Sequence, residues 1–221
     1  PLCFKKQNKI QMAKTAFAKK LDIIQAEAHT YLRQVGYRKK GRTFNKSLDS
    51  GLIHVVNFQM GRRSLSGQFT INLGIFIPEI YKLLWFWEED EPKFVDHGDC
   101  EIINRIGDLK PSSEDLWWDL KKNTRRLSKT IMVHLDKYGL PYLNKLNTQE
   151  DIIQEWNKHG DTVGFNHRSG LSVAILLAKS GQEEKAQSLL INEYELHIDE
   201  PYAEFVSSIA KKLDISLERN I

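Results

Sequence analysis

The first long hydrophobic pattern along the chain has the period of an α-helix. Its apolar positions recur every three or four residues and form one stripe, comprising Ala13, Phe17, Leu21, Ile24, Ala28, Tyr31 and Val35. Such a stripe is typical of a helix that packs one face on a core. Gly36 follows directly, where a helix can end in a left-handed turn. The pattern therefore predicts an N-terminal helix that ends at about Val35.

The next pattern has period two, which is the period of a β-strand. Over residues 68–77, apolar side chains alternate with mostly polar ones, as expected for a strand with one buried face. Further strand signals lie at 37–40, 43–47, 52–60 and 100–105, and Pro78 opens a short helix through about Trp87. The short connections favour an antiparallel meander. The fold class predicted is α+β, with a sheet of four or five strands packed against N-terminal and central helices.

From Pro111 onward the chain carries mainly helical signals. Ser112 with Asp115, and Thr148 with Asp151, have the spacing of capping boxes. The first predicts a central helix over 113–138, and the second predicts a helix that follows Thr148. Three apolar stripes in the last part of the chain predict a small all-helical appendage. The predicted divisions are 1–12, an extension or disordered start, 13–160, an α+β domain, and 165–221, a helical C-terminal appendage.

Composition and charge narrow the class of protein. Hydrophobic residues make up 41% and charged residues 28%, which is typical of a globular chain and argues against disorder. The net charge of +3 does not by itself indicate a nucleic-acid-binding protein. Cys3 and Cys100 have no near partner, which excludes a disulfide scaffold and favours a cytoplasmic location. No apolar run approaches the roughly 18 residues of a membrane span, so no membrane association is expected.

The sequence carries no recognisable catalytic motif. No phosphate-binding loop, nucleophile elbow or zinc-protease helix is present, so we expect no catalytic residue and no cofactor. Asp96, His97, Asp99 and Glu101 are of types that bind metals. Adjacent residues on a strand point to opposite faces, however, so an acidic loop is favoured over a metal site.

Two sets of polar residues are candidates for binding. Asn57, Gln59 and Asn72 occupy the polar positions of two strong strands, where amides could line a groove with Arg105 nearby, although a solvent-facing sheet surface is favoured. The second set is basic and comprises Arg38, Lys39, Lys40, Arg42, Arg62 and Arg63. It could bind a polyanion through phosphate contacts, or it could protect an edge strand from aggregation.

Two further features are candidates for protein contacts. An acidic run, Glu88, Glu89, Asp90 and Glu91, could face a basic partner. Trp118 lies away from the apolar stripe of the predicted central helix and would mark a contact surface if it were exposed. We expect it to pack instead, because helices are predicted on both sides.

Several segments in order resemble one protein family. They are 36–44, 55–59 and 69–74, followed by Arg105-Ile106-Gly107, Trp117-Trp118-Asp119 and Tyr138-Gly139-Leu140-Pro141. Over about 13–156 the chain resembles the uncharacterised, mainly bacterial family named domain of unknown function 4304. That resemblance implies a fold and no particular reaction.

These observations favour a non-enzymatic cytoplasmic interaction protein of the toxin-immunity type, with a protein as its partner. Nucleic-acid binding through the basic residues 38–46 and 62–63 is the first alternative. An enzyme that uses Asn57, Gln59, Asn72 and Arg105 in a sheet-lined pocket is the second. The sequence does not indicate an oligomeric state.

Overall fold

The computed structural model describes residues 15–84, 92–166 and 168–218. The strands are β1 (Arg38–Lys40), β2 (Thr43–Ser47), β3 (Ile53–Met60), β4 (Gln68–Phe76), β5 (Ile102–Arg105) and β6 (Trp118–Asp119). The helices are α1 (Ala16–Gln34), α2 (Pro78–Leu84), α3 (Thr124–His134), α4 (Leu140–Leu143), α5 (Gln149–His159), α6 (Ser169–Lys179), α7 (Glu183–Leu196) and α8 (Pro201–Lys212). The predicted α+β class is confirmed.

The strands form one antiparallel sheet in the order β1-β2-β3-β4-β5. Strand β4 is central and pairs with β3 along its whole length. On its other side it pairs first with β6, through Phe69 and Trp118, and then with β5, through Asn72 and Arg105. The predicted meander is therefore confirmed, and β6 is an additional strand that the sequence pattern did not predict.

The inner face of the sheet carries the main hydrophobic core. The alternating residues of β4 on this face, Phe69, Ile71, Leu73 and Ile75, are completely buried. Helix α1 begins at an N-cap, Thr15, and buries the middle of the predicted stripe, Leu21, Ile24 and Ala28, whereas Val35 is exposed and Ala13 lies outside the described residues. Gly36 follows with a φ of +94°. This φ lies in the left-handed region, which glycine adopts without strain.

The predicted helix over 113–138 is wrong in its first half. Helix α3 begins at Thr124, and its N-cap is Asn123, whose side chain accepts a 3.0 Å hydrogen bond from the backbone N–H of Arg126. The preceding segment is extended at β6 because Trp118 packs on Phe69, with their ring centroids 5.4 Å apart. The second capping box is confirmed: Thr148 and Asp151 exchange the two expected hydrogen bonds.

The C-terminal helices α6, α7 and α8 contribute to the same hydrophobic core as the sheet. Helix α6 packs against α2 and α5, and Phe165 forms an isolated antiparallel bridge with Ile102 of β5. The division into domains at 160–165 stays a prediction. Across the described ranges, no helix has the length and apolar character needed to cross a membrane.

Candidate functional site

A row of polar side chains crosses the outer face of the sheet, opposite the core. Thr43 of β2 is the register partner of Asn57 of β3, which in turn faces Asn72 of β4. Asn72 faces Arg105 of β5, so the row extends over four strands. Since residues directly opposite in a sheet share one face, these four side chains lie side by side.

The amides of this row are buried and held by hydrogen bonds. Asn57 donates from Nδ2 to Thr43 Oγ1 over 2.8 Å, and Asn72 donates from Nδ2 to Gln59 Oε1 over 2.7 Å. Asn57 is only 6% exposed and Asn72 only 3%. The favoured prediction of a solvent-facing surface is therefore wrong for these two asparagines, because another segment covers this part of the sheet.

The covering segment comprises residues 92–99 and is fastened to β2 by side-chain hydrogen bonds. The buried amide of Asn45 donates to the carbonyl oxygen of Val95 over 3.0 Å and accepts from its N–H over 2.8 Å. Thr43 donates its hydroxyl to Asp96 Oδ1 over 3.1 Å. Asp96 also caps the short 3-10 helix His97–Asp99. These bonds place the covering segment over the outer face of the sheet.

Beneath the covering segment, one part of the outer face is apolar. Val55, Phe76, Val95 and Cys100 form a second, smaller cluster of buried side chains. Gly74 permits the close approach of Cys100, since a Cβ atom at Gly74 would lie 2.5 Å from the Cys100 sulfur. Burial, with nearby carboxylates contributing further, raises the pKa of the Cys100 thiol. The thiol is therefore protonated and unreactive.

The remaining part of the outer face opens into a groove built from two adjoining clefts. The larger has a volume of about 930 Å³, and its polar lining includes Lys40, Arg42, Thr43, Asn57, Gln59, Arg62, Asp96 and His97. The smaller has a volume of about 640 Å³, and its polar lining includes Gln59, Asn72, His97, Arg105, Asp108, Asp115 and Asn166. Gln59 and His97 line both clefts, so the two form one groove that crosses the strands.

The β2 end of the groove is cationic. Lys40, Arg42 and Arg62 line it, and Asp96 is the acidic residue that faces them. Although burial acts to raise the pKa of Asp96, hydrogen bonds from His97 and Thr43 outweigh it and hold that pKa below its usual range. Asp96 is therefore a carboxylate in the groove, and among the residues that the structure describes the three cations leave a net positive charge at this end.

The β5 end of the groove has the opposite character. The guanidinium of Arg105 lies 2.6 Å from Asp115 Oδ1 and stacks 5.3 Å from the ring centroid of Trp117. Trp117 first, and then Arg105, lower the pKa of the Asp115 carboxyl. Arg105 is thus neutralised by its partner, while the neighbouring Asp108 stays exposed in the same cleft.

The structure brings together only part of the residues predicted to bind. Arg42 and Arg62 line the groove, whereas Arg38 lies on the exposed edge strand β1 and neither it nor Arg63 is among the lining residues described. Trp118 is buried, with 6% exposure, so it offers no contact surface. The acidic run Glu88, Glu89, Asp90 and Glu91 lies outside the described residues.

Thr43, Asn45, Asp108 and Asn166 were not identified from the sequence, and Asp96 was considered only as a metal ligand. The alternation of polar Thr43 and Asn45 around Phe44 was a usable signal, because it marks a second polar face on β2. Among the described residues, no three His, Cys, Asp or Glu side chains are grouped so that they could hold a metal ion. Asp96 instead accepts hydrogen bonds from the neighbouring polar groups.

The fold and the groove together define a class: an α+β protein whose antiparallel sheet carries a covered polar row on its outer face. The chain belongs to the family described as Domain of unknown function (DUF4304), whose model matches residues 28–145. This confirms the resemblance seen in the sequence. Comparisons with curated proteins and with solved structures give no match.

Proposed function

We propose that this chain is a non-enzymatic interaction protein of the cytoplasm that holds an extended segment of a partner protein in its groove. One observation carries the proposal: an amide row and three cationic side chains face the same groove. In the bound state, an acidic side chain of the partner lies against Arg42 and Arg62, with Lys40 beside them.

The chemistry of the groove suits a polypeptide. Gln59 is the partly exposed amide of the row and can offer its Nε2 as a donor, and Asn57 Oδ1 is an acceptor that has no partner among the described residues. Arginine pairs with a carboxylate in a bidentate geometry that adds specificity. The carboxylate of Asp96 lies among these groups. It would repel a continuous run of phosphates, whereas it can accept from a backbone N–H.

The proposal predicts that partner binding depends on the groove cations and not on other arginines. Affinity capture with Arg42→Glu/Arg62→Glu as bait should lose a protein partner that the wild-type chain retains. The matched control, Arg38→Glu/Arg63→Glu, makes the same change in charge outside the groove and should retain the partner. Equal capture by both double variants would contradict the proposal, as would partner loss in the control alone.

A toxin-immunity role is the finer form of this proposal. It is supported by the acidic run Glu88, Glu89, Asp90 and Glu91, which offers charge complementarity to a basic toxin. Replacing the four acids by lysine should abolish protection of cells that express the cognate toxin. Undiminished protection would remove the acidic run from the proposal.

Nucleic-acid binding is the second candidate, because Lys40, Arg42 and Arg62 converge at one end of the groove. Contacts to phosphates release counterions, so the affinity for a labelled single-stranded oligonucleotide should fall steeply with salt. Phosphate-dependent binding typically falls by orders of magnitude between about 50 and 200 mM salt. A weak affinity that changes little over this range would exclude nucleic-acid binding.

An enzyme remains the third hypothesis, since the groove gathers polar groups as a catalytic pocket would. Asp96 and His97 are the titratable pair, with Oδ1 and Nδ1 3.1 Å apart. The hydroxyl nearest to them in the hydrogen-bond network, that of Thr43, donates to Asp96 itself. That geometry is the one a nucleophile beside a general base would have. Thr43 is only 6% exposed, however, so a substrate would not reach its hydroxyl and binding is better supported.

A further inference from the structure

We infer that the bound segment is bipolar, with an acidic side chain at the β2 end of the groove and a basic one at the β5 end. This inference rests on the proposed function and names the chemistry of its ligand. The cations Lys40 and Arg42 line one end, and Asp108 with Asp115 lines the other. A segment of a single charge would be attracted at one end and repelled at the other.

The acidic character of the β5 end survives the presence of Arg105. That guanidinium is already paired with Asp115 at 2.6 Å and stacked on Trp117. Asp108 is exposed, and within the described ranges its carboxylate accepts a 3.3 Å hydrogen bond from the backbone N–H of Arg105 and forms no ion pair. One negative charge at this end is therefore not balanced by Arg105.

The width of the sheet sets the spacing between the two charges. Thr43 follows Arg42 directly, and the backbone N–H of Arg105 donates to Asp108, so these two row positions mark the two ends. They are separated by three strand-to-strand steps, which together span about 14 Å. An extended chain advances about 3.3–3.6 Å per residue, so about four residues cover that span. Side chains four positions apart in an extended segment also point to the same side. The acidic and basic residues of the partner should thus be at positions i and i+4.

A buried acceptor between the two ends also points to a ligand. Among the described residues, the Oδ1 atom of Asn57 has no hydrogen-bond partner, although Asn57 is only 6% exposed. Its Nδ2 is committed to Thr43, which fixes the direction in which Oδ1 points. A donor from the bound segment, such as a backbone N–H, would supply the missing hydrogen bond once the atoms above Asn57 move aside.

The test uses the full chain and labelled heptapeptides in fluorescence polarisation. One peptide carries Glu at its second position and Lys at its sixth, another carries Glu at both, and Ser and Asn fill the rest. Exposed charge pairs contribute little individually, so the Glu/Lys peptide should bind about threefold more tightly than the Glu/Glu peptide. Equal affinities, or failure of both peptides to bind, would overturn the inference.

Charge changes at Asp108 test the same point from the protein side. Asp108→Lys should reverse the preference, so that the Glu/Glu peptide binds more tightly. Asp108→Asn keeps an oxygen acceptor for Arg105 and should abolish the preference without reversing it. Asp199→Lys, at an exposed acid in the turn between α7 and α8, is the matched control and should leave the preference unchanged. An unchanged preference in Asp108→Lys would refute the bipolar ligand.

The proposed groove function and the bipolar ligand can fail separately. If Arg42→Glu/Arg62→Glu abolishes binding of both peptides while Asp108→Lys changes nothing, the proposed groove function stands and the bipolar ligand is wrong. If the double variant leaves peptide binding intact, the groove is not the binding site, and the proposed function fails together with the inference.

Discussion

The hydrogen bonds between Asn45 and Val95 provide the sharpest test of how the outer face is built. The Asn45 side chain is 7% exposed and Val95 is completely buried. The Asn45 amide accepts from the Val95 N–H over 2.8 Å and donates to the Val95 carbonyl oxygen over 3.0 Å. Asn45→Ala removes both hydrogen bonds and leaves no alternative partner from the side chain.

The expected loss of stability follows from these two bonds. Leaving a buried donor or acceptor unsatisfied costs about 1–3 kcal/mol, so the free energy of unfolding should fall by roughly 2–5 kcal/mol. Asn45→Asp keeps the acceptor for the Val95 N–H but places a buried carboxylate oxygen against the Val95 carbonyl oxygen, so its loss should be at least as large. If the covering segment lifts instead, water satisfies Val95, and part of the loss appears as local opening.

Two measurements separate these outcomes. Urea unfolding reports the global free energy, and amide hydrogen exchange at Val95 reports local opening. Asn147→Ala, at a partly exposed asparagine whose side chain bonds only locally to the Asn144 carbonyl, is the control and should cost about 1 kcal/mol or less. If Asn45→Ala costs under about 1 kcal/mol and the Val95 amide stays equally protected, these hydrogen bonds do not hold the covering segment.

Three further predictions concern the core. Burial lowers the pKa of His54, and this effect is larger than the opposing effect of the hydrogen bond to the Leu146 carbonyl. The unfolded chain therefore takes up the proton first, so the free energy of unfolding should fall below about pH 6.5 by up to about 1.4 kcal/mol per pH unit. Urea unfolding should show a weaker pH dependence in His54→Gln. Trp118→Ala should lower the free energy of unfolding by about 3–5 kcal/mol, measured by chemical denaturation, because Trp118 is buried against Phe69. Trp117 is half-buried and Trp117→Ala should cost less; an equal cost would argue against the packing of Trp118 on Phe69. Gly74→Ala should cost about 1–3 kcal/mol because its Cβ would meet the Cys100 sulfur, and Cys100→Ala should partly rescue it in a double-mutant cycle; additive losses would contradict this contact.

The strands of the sheet could be predicted because their signals are local. The alternation from Gln68 onward, and the β-branched residues before Met60, place side chains on defined faces. The segment around Trp118 was mispredicted because two signals conflict there. Ser112 and Asp115 have capping-box spacing, whereas Leu116, Trp118 and Leu120 alternate as in a strand. Pairing with Phe69, distant in sequence, decides between them.

The amide floor of the site and three of its cations, Lys40, Arg42 and Arg62, could be predicted, whereas the cover over the sheet could not. Strand alternation identified Asn57, Gln59 and Asn72 as a polar set on one face, because their spacing within each strand is local. Their burial was not predictable, since it depends on Val95 reaching Asn45 from a separate part of the chain. The pairing of Arg105 with Asp115 was hidden for a similar reason: local spacing assigned Asp115 to a helix cap.

The position of β4 between three partners has a consequence for the order of folding. Its pairing with β3 closes only the short loop after Met60, whereas its pairing with β6 must bring Trp118 to Phe69 across the intervening β5 and its connections. Closing the longer loop costs more chain entropy, and the two-residue β6 returns few hydrogen bonds. The β3–β4 hairpin should therefore form early and carry the transition state. Trp118 should dock late, so that its packing governs how slowly the protein unfolds more than how quickly it folds.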